Sequence, residues 1–305
     1  MDFQHNPRLD YSAIINRPDF TWPGRKKLAI YVALAVEHFP YGPGGGLPYS
    51  PGLKGPDTYN WAWREYGNRV GGFRLIDLFN EYQLPLSVLL NTRCYEHCTA
   101  LLDQFRARGD EIVAHGTTNA IHPNNLSLEE ERDYIRQATE AIKHHEGKPP
   151  AGWMSPGAHP SIHTEDLLRE AGYKYTLDWP MDDQPAWLRT TAGPLLSMPY
   201  PHEVNDVPMI VLHDGTAMAF ADMAIDNFEE MLRQSEEQSL VYGITIHSFI
   251  IGQPYRLRQF RRVLDALTAR RDRVWFATAS QIADHYAGLF APERGSSTSG
   301  TAPHA

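Results

Sequence analysis

Residues 27–38 read KLAIYVALAVEH, an apolar run that leads directly into Glu37 and His38. Such a run predicts a β-strand with polar side chains at its carboxyl end. Strand-like and helix-period segments alternate from there on, and they include GGFRLIDLFNEY, LPLSVLLN, TALLDQFRARG, EIVAH and LSLEEERDYIRQATEAI. This alternation is typical of parallel βα units.

The alternation continues through the second half of the chain, in AGWMSPG, IHTEDLLREAG, YKYTLDW, LLSMPYP, IDNFEEMLRQSEE, LVYGITIHSF, YRLRQFRRVLDALTARR, RVWFA and SQIADHYAGLF. About seven βα units favour a closed or nearly closed barrel over an open sheet. No GxGxxG motif follows the first strand, which argues against a dinucleotide-binding sheet. We therefore predict one barrel domain at residues 22–290, with an N-terminal extension at 1–21 and a disordered tail at 291–305.

Composition and charge exclude several classes of partner. Of the 305 residues 42% are hydrophobic and the net charge is −9, so we expect a sizeable core and no binding to nucleic acids or anionic membranes. The N-terminal residues do not resemble a signal peptide, and no apolar run reaches the roughly 18 residues of a membrane span. These features predict a cytoplasmic protein that acts on a small molecule. Cys94 and Cys98 are expected to be reduced helix residues.

Catalytic side chains of barrel enzymes stand at the carboxyl ends of the strands. Three such ends carry ionisable groups here: Glu37 with His38, His115 in EIVAHG and His247 in YGITIHSF. A single histidine at a strand end is more often structural than catalytic. A carboxylate and two imidazoles at one barrel mouth, however, can activate water and protonate a leaving nitrogen. The sequence therefore predicts hydrolysis of an amide or imide bond.

Other motifs give weaker signals. There is no GxSxG nucleophile elbow, and the segment GPGGG at 42–46 lacks the Lys-Ser/Thr pair of a phosphate-binding loop. Two long connections, at residues 40–63 and 179–193, are interpreted as lids over a ligand. Trp153 and Trp179 are candidate walls for a flat heterocycle, with ordinary packing as the alternative. Arg69 is a candidate to bind a carboxylate or urea oxygen, with an ion pair as the alternative.

At these residues the chain resembles the polysaccharide deacetylase superfamily, whose fold is a single-domain α/β distorted (β/α)7 barrel. Metal-dependent members end the first strand with two aspartates, a base and a metal ligand, and carry a His-x-x-x-His pair on a later strand. The matching positions here are Glu37, His38, His115 and Asn119. Two of the three usual ligand positions are therefore changed.

The metal-independent bacterial allantoinase branch of that superfamily is a closer resemblance. It has a Glu-Glu pair at the first strand and Ser-His-Gly where this chain has Ala-His-Gly. The further matching segments are WREYGNRVGGFRLIDLF (63–79), GWMSPG (152–157), MPYPHEVND (198–206), IHSFIIGQPYRLRQF (246–260) and VWFATASQIADHY (274–286). This chain departs from the branch at His38, in TTNAIH after His115 and in the loop DWPMDDQPAWL.

The resemblance implies an amidohydrolase that opens a small cyclic ureide, amide or imide such as allantoin, without a metal or another cofactor. Glu37, His115 and His247 are the implied catalytic residues, and a homo-oligomer is the implied assembly. The substrate-binding residues are then predicted to be His38, Asn119, Trp153, Trp179 and Arg69. Asn119 is expected to hold a substrate carbonyl.

Three alternatives remain open from the sequence. His38, His115 and His247 could form a catalytic zinc site with Glu37 as its base. The chain could be a metal-dependent N-deacetylase of an acetylated sugar or peptidoglycan unit. It could also be a catalytically silent binding protein on the same scaffold.

Overall fold

The computed structural model describes residues 6–42 and 56–292. Its central element is strand β1 (Leu28–Val36), in which every residue is buried. One edge of β1 pairs in parallel with β8 (Leu240–His247), and the other edge pairs in parallel with β2 (Ser87–Leu90) near the carboxyl end. A strand that is covered on both faces has no place for polar side chains, which explains the continuous apolar run.

The remaining strands extend the sheet beyond β2. In spatial order they are β3 (Glu111–Ala114), β4 (Gly152–Trp153), β5 (Tyr175–Thr176), β7 (Leu195–Ser197) and β6 (Ala186–Leu188), while β9 (Val274–Phe276) pairs with the amino end of β1. All pairings are parallel except the one between β6 and β7. The predicted single-domain α/β barrel architecture is confirmed, in the form of a half-barrel sheet surrounded by helices.

Loop segments, rather than another strand, hydrogen-bond to the outer edge of β8. The Val241 N–H donates to the Asp183 carbonyl at 2.9 Å, and the Thr245 N–H donates to the Val204 carbonyl at 3.0 Å. Backbone groups of an edge strand need such partners when they are buried. These two loops therefore continue the wall of the half-barrel beyond β8.

Helices cover the outer face of the sheet. They are α1 (Thr58–Tyr66), α2 (Gly72–Tyr82), α3 (Cys94–His97), α4 (Thr99–Arg108), α5 (Leu128–Glu146), α6 (Thr164–Glu170), α7 (Ala217–Gln234), α8 (Ser248–Ile251), α9 (Pro254–Thr268) and α10 (Ala279–Leu289), with π-helical turns at Gly67–Gly71 and Val207–Leu212. The Ser127 and Glu130 side chains form a capping box at the start of α5. Among the residues that the structure describes, no helix combines the length and apolarity that crossing a membrane requires.

Side chains of β1 alternate between two hydrophobic clusters. The odd-numbered residues pack in the interior of the half-barrel and the even-numbered ones pack beneath the helices. The same division holds in β8, where Val241 belongs to the interior cluster and Tyr242 to the helix-side cluster. Because side chains along a strand repeat every two residues, the interior face continues to Glu37, His115 and His247 at the strand ends.

A close approach of two backbones supports the end of β8. Helix α8 follows His247 directly and packs against the π-helical turn, with Gly252 against Gly71. A Cβ atom at Gly252 would overlap the Cα of Gly71 and the carbonyl of Ser248. Both obstacles are backbone atoms, so the overlap cannot be relieved by a side-chain rotation.

We expect Gly252→Ala to lower the free energy of unfolding by about 2–3 kcal/mol, the upper part of the range for overpacking a buried site. Gly288→Ala in α10 is the matched control, because a Cβ there meets nothing within 4 Å. In a helix that replacement is expected to stabilise the protein by about 0.5–1 kcal/mol. Denaturant-induced unfolding measures both changes, and equal midpoints for the two variants would contradict the packing described.

Candidate active site

A cavity of about 520 Å³ opens at the carboxyl ends of the strands. Its lining includes the ionisable residues Glu37, His115, Asp178 and His247 together with the amide of Asn119. A larger depression of about 980 Å³ lies between residues 9–20 and 181–189, and it contains none of these strand-end groups. The smaller cavity is therefore the candidate active site.

Glu37 is the centre of the site. Its Oε1 accepts a hydrogen bond of 2.9 Å from Nδ2 of Asn119. The same oxygen lies 3.6 Å from Nε2 of His247 and 3.7 Å from Nε2 of His115. The carboxylate is buried, with 7% of the residue exposed. One carboxylate oxygen thus faces two imidazoles and an amide.

His115 is held by the backbone of the neighbouring strand. Its Nδ1 lies 2.7 Å from the carbonyl oxygen of Met154. A carbonyl only accepts, so Nδ1 carries a hydrogen and the neutral ring has an unprotonated Nε2. Nε2 is the atom nearest to Glu37. In its neutral form His115 therefore presents a proton acceptor beside the carboxylate.

His247 is held by a carboxylate instead. Asp206 Oδ1 lies 2.6 Å from Nδ1 of His247, and Asp206 Oδ2 accepts the His247 backbone N–H at 2.8 Å. Burial lowers the pKa of His247, but the charges of Asp206 and Glu37 outweigh burial and raise it above its usual value. Burial also raises the pKa of Asp206, while the two donors from His247 favour its carboxylate form. His247 is therefore the proton-carrying group of the site.

The pKa of Glu37 moves in the opposite direction. Burial raises it, but the positive charge of His247 and the nearby His115 more than offset burial, and the pKa of Glu37 lies below its usual value. An ionised carboxylate thus stands beside an imidazolium. A base and an acid on either side of one reacting bond are the requirement for general acid–base hydrolysis.

Asn91 joins the strand ends that carry these residues. Its Oδ1 accepts the His38 N–H at 2.9 Å, and its Nδ2 donates to the carbonyl of His115. Asn91 follows β2, which lies between β1 and β3 in the sheet. It therefore sets the spacing between Glu37 and His115.

Asp178 is a second carboxyl group in the cavity. It accepts hydrogen bonds from the Ser155 N–H at 2.7 Å and from the Ser155 hydroxyl at 2.8 Å. Burial raises the pKa of Asp178 to about 7, against the lowering effect of these hydrogen bonds. Its protonation state therefore changes near neutral pH, unlike that of Glu37.

Comparison with known proteins finds a family match over part of the chain. Residues 66–176 match the family model of polysaccharide deacetylase. A putative polysaccharide deacetylase of Schizosaccharomyces pombe is 26% identical over 238 residues, which cover 72% of this chain and 73% of that protein. A peptidoglycan deacetylase of Helicobacter pylori is 23% identical over 254 residues, covering 72% of this chain and 85% of that protein.

Solved structures share the fold of this chain. PuuE allantoinase superposes with a TM-score of 0.82 at 24% identity, covering 92% of this chain and 98% of that one. A probable polysaccharide deacetylase of Pseudomonas aeruginosa PAO1 superposes with a TM-score of 0.81 at 24% identity, covering 91% and 98%. These similarities confirm the (β/α)7 type of barrel. The family and its relatives support a carbon–nitrogen bond hydrolase in general and leave the substrate open.

His38 is absent from the described lining of the cavity. Its Nδ1 lies 3.2 Å from Oγ1 of Thr118, and its ring packs edge-on against His97 with centroids 5.4 Å apart. Burial and the neighbouring His97 lower its pKa. His38 was predicted to bind substrate; in the structure this residue, one position after Glu37, contacts Thr118 and His97 and is not part of the described cavity lining.

Trp153 was also predicted to line the pocket but is not part of its described lining. Its ring is fully buried beneath the helices, edge-on to Tyr134 and Tyr173 at 6.2 and 5.7 Å, and its Nε1 donates to Ser155 Oγ at 3.0 Å. Met154, the residue directly after β4, occupies the interior position instead.

Trp179 and Arg69 likewise lie outside the cavity lining. The Trp179 indole donates to Oε1 of Glu165 at 2.7 Å, which attaches its loop to α6. Arg69 is exposed on the π-helical turn. Of the predicted substrate-binding residues, the structure places Asn119 in the cavity.

Two predicted loops are only partly described. Residues 43–55 of the proposed first lid and residues 293–305 of the predicted tail lie outside the described residues. From the second predicted lid, Pro180 lines the cavity. Cys94 and Cys98 are both free cysteines, of which Cys94 is buried and Cys98 is half-buried.

The residues of the site do not fit the metal centre of the metal-dependent deacetylases. Within residues 6–42 and 56–292, no three His, Cys, Asp or Glu side chains are arranged to hold a metal ion. His38, the first residue of the alternative zinc site, hydrogen-bonds to Thr118 away from His115 and His247. At the position of the second histidine, Asn119 donates to the base itself. No catalytic step is therefore assigned to a metal.

Asp206→Asn tests the acid role of His247. Loss of the Asp206 charge is expected to lower the pKa of His247, because that charge raises it. The alkaline limb of the pH–rate profile should then move to lower pH, and the rate at alkaline pH should fall by about a hundredfold. The pKa of His247 is measured directly by NMR titration of its ring.

Asp222→Asn is the matched control, since Asp222 forms an exposed ion pair with Arg262. It should leave both the His247 titration and the alkaline limb unchanged. A normal His247 titration in Asp206→Asn would contradict the assignment.

Proposed function

We propose that this chain is a metal-independent hydrolase that opens the ring of a small cyclic ureide, amide or imide such as allantoin. One observation carries this function: Glu37 lies between His115 and His247 in a cavity of about 520 Å³. Cavities of this size enclose a small molecule and hold it away from bulk water. The resemblance to the allantoinase branch further supports a homo-oligomer.

The proposed reaction begins with a water molecule held by Glu37. Glu37 takes one proton from the water while the water oxygen forms a bond to the carbonyl carbon. The other hydrogen of the water is donated in a hydrogen bond to Nε2 of His115. The raised pKa of His247 leaves it protonated, and it donates that proton to the ring nitrogen as the carbon–nitrogen bond breaks. The open-chain product carries a new carboxyl group, which releases the second water proton to solvent as it ionises, and a free amine, amide or urea group. Glu37 then loses its proton to solvent and His247 regains one.

The walls of the cavity favour a compact, flat substrate. Its apolar lining consists of Ala35, Phe39, Leu89, Met154, Ala158, Leu177, Pro180, Val207, Pro208 and Leu212. A planar ring places its apolar faces against these side chains. The rest of the lining is polar and can pair with the polar edges of such a ring; it consists of Glu37, His115, Asn119, His122, His159, Asp178, Tyr200, His202, Asn205 and His247, with Gly157 between them.

We expect the purified protein to hydrolyse at least one of allantoin, hydantoin, dihydrouracil and succinimide with far less than one metal ion per chain. Elemental analysis measures the metal, and the rates are compared before and after chelation. Chelation should leave turnover unchanged, because the base and the acid are both side chains. Stoichiometric zinc with chelator-sensitive turnover would overturn the metal-free mechanism.

Glu37→Gln is expected to lower kcat by about 10²–10⁴-fold, the range for loss of a general base. Glu230→Gln is the control, because Glu230 is a surface residue paired with Arg233. The control should retain the kcat of the unmodified protein. A Glu37→Gln variant with nearly normal kcat would exclude Glu37 as the base.

N-deacetylation is the second candidate function, supported by the names of the family and of the two relatives. The same Glu37 and His247 chemistry would then act on the acetamide of an acetylated sugar or peptidoglycan unit. Release of acetate from such a compound, with no opening of the four rings above, would favour this function. Binding of ligands without any turnover would favour a silent binding protein.

A further inference from the structure

The proposed reaction needs hydrogen-bond donors for the oxygen of the attacked carbonyl. Negative charge develops on that oxygen as water adds, and fixed donors that face it lower the barrier. Asn119 was predicted from the sequence to hold this carbonyl. In the structure its Nδ2 donates to Glu37 Oε1 at 2.9 Å, so the amide is engaged by the base. The carbonyl oxygen therefore requires other donors in the cavity.

The loop at residues 198–206, which follows β7, brings two further donors to the cavity. Tyr200 and Asn205 both line it. Asn205 forms an isolated parallel bridge with Thr245 of β8, and residues opposite each other in a parallel pair direct their side chains to the same face. Thr245 is two positions before His247, so these two share a face as well. The Asn205 side chain therefore lies on the face that carries His247.

The orientation of the Asn205 amide leaves its NH2 group free. Its Oδ1 accepts the Val207 N–H at 3.1 Å, and because an N–H only donates, Nδ2 must face the other way. Nδ2 has no hydrogen-bond partner among the described residues. It is also not one of the four described side-chain atoms that are both unpartnered and sealed from solvent, which are Asn68 Oδ1, Asn119 Oδ1, Arg169 Nε and Thr245 Oγ1. Nδ2 of Asn205 is thus an accessible donor.

The hydroxyl of Tyr200 lies among the carboxyl groups of the site. Burial raises the pKa of Tyr200 well above its usual value, and the nearby Thr245 hydroxyl lowers it by less. The charges of Asp206, Glu37 and Asp178 raise it further. Charges act strongly only over short distances, so the hydroxyl is close to all three carboxyl groups and to Thr245. A phenol that stays protonated in this way remains a hydrogen-bond donor.

The hydroxyl of Tyr200 is on the cavity side of its ring. The ring also borders a neighbouring depression of about 690 Å³, whose described lining includes neither Thr245 nor the three carboxyl groups that act on the hydroxyl. Glu37 and Asp178 line the cavity, and Asp206 holds the cavity residue His247. Both donors of the loop are therefore available to a molecule in the cavity.

We infer that the Tyr200 hydroxyl and Nδ2 of Asn205 donate hydrogen bonds to the oxygen of the attacked carbonyl and stabilise the negative charge that forms there. Both groups stand beside Thr245, and His247 follows on the same face, roughly 7 Å along the strand. The carbonyl oxygen and the leaving nitrogen are bonded to one carbon, so their donors have to be neighbours. This inference rests on the proposed function and adds two catalytic residues to it. Neither residue gives up its proton, so the proton balance is unchanged.

Tyr200→Phe removes one donor and keeps the ring. On the ring compound that the protein hydrolyses fastest, kcat should fall by about a hundredfold or more, the effect of losing one such donor. KM should rise by only about threefold, because the uncharged carbonyl binds the donor weakly. Tyr242→Phe is the matched control, since its hydroxyl donates to the Ala224 carbonyl at 2.6 Å beneath the helices. This control should keep its kcat, and a Tyr200→Phe variant with kcat within threefold of the unmodified protein would overturn the inference.

Asn205→Ser tests the second donor. Serine keeps an oxygen that can accept the Val207 N–H but lacks the NH2 group. We again expect kcat to fall by about a hundredfold. Because Asp206 belongs to the same loop, the NMR titration of the His247 ring is followed in both variants and should be unchanged. Loss of kcat together with a shifted His247 titration in both variants would indicate a displaced loop and overturn the inference.

Dithiosuccinimide tests the contact with the carbonyl oxygen directly, because sulfur is a weak hydrogen-bond acceptor. Each kcat/KM is divided by the rate of uncatalysed alkaline hydrolysis to remove intrinsic reactivity. We expect the unmodified protein to prefer succinimide by about a hundredfold and Tyr200→Phe to prefer it by less than about tenfold. The loss should come from slower turnover of succinimide. Faster turnover of dithiosuccinimide at an unchanged succinimide value would indicate relief of steric exclusion and overturn the inference.

Binding of succinimide distinguishes failure of the inference from failure of the proposed function. Ligand-observed NMR titration gives its Kd whether or not turnover occurs. Absence of turnover, with Kd raised about threefold or more in Tyr200→Phe but not in Tyr242→Phe, would support the donor role and overturn the hydrolase. Turnover that neither Tyr200→Phe nor Asn205→Ser reduces would support the hydrolase and overturn the donor role. Absence of both turnover and a change in Kd would overturn both.

Discussion

The alternation of side chains along parallel strands determines where every group of the site lies. β1, β2 and β3 are consecutive in the sheet, β8 borders β1, and their carboxyl ends meet at one edge. Interior positions therefore converge on one cavity, with Glu37, His115 and His247 facing each other. A shift of one residue in any of these strands would turn its catalytic side chain toward the helices. Hydrophobic burial of both faces is what prevents that shift.

The same alternation determines which of the predicted site residues line the cavity and why two of them, His38 and Trp153, do not. Glu37 continues the interior positions of β1, whereas His38 is one residue further and packs on the helix side. Trp153 similarly alternates with Met154. Residue type could not make this distinction, because tryptophan and histidine suit a pocket wall as well as a core. The two-residue repeat of a strand, followed from its apolar residues to its end, does separate the residues on the interior face from those on the helix side.

Other parts of the site could not be predicted from local sequence. Asp206 lies 41 positions before its partner His247. Their contact depends on the loop after β7, which reaches the edge of β8 through the Val204 carbonyl. Aspartates at such positions commonly form turns, so the residue type of Asp206 alone gives little indication of a functional role. Likewise, the orientation of the Asn119 amide follows from a distance to Glu37 that only the assembled barrel defines.

The electrostatics of the site connect its chemistry to the size of its cavity. Burial by itself would protonate Glu37 and deprotonate His247, and their mutual attraction, with Asp206, reverses both tendencies. In a metal-dependent hydrolase a divalent cation supplies the positive charge that polarises the carbonyl. In the proposed metal-free reaction, one imidazolium and fixed hydrogen-bonding groups supply it instead.

Such charges are effective only where water is excluded, because solvent screens them strongly. A polymer bound along an open groove would leave the carboxylate and imidazolium hydrated. In the proposed reaction, a small ring bound in the cavity of about 520 Å³ displaces water from both groups. A substrate that fills the cavity therefore suits this pair of charges better than one that leaves the cavity open to solvent.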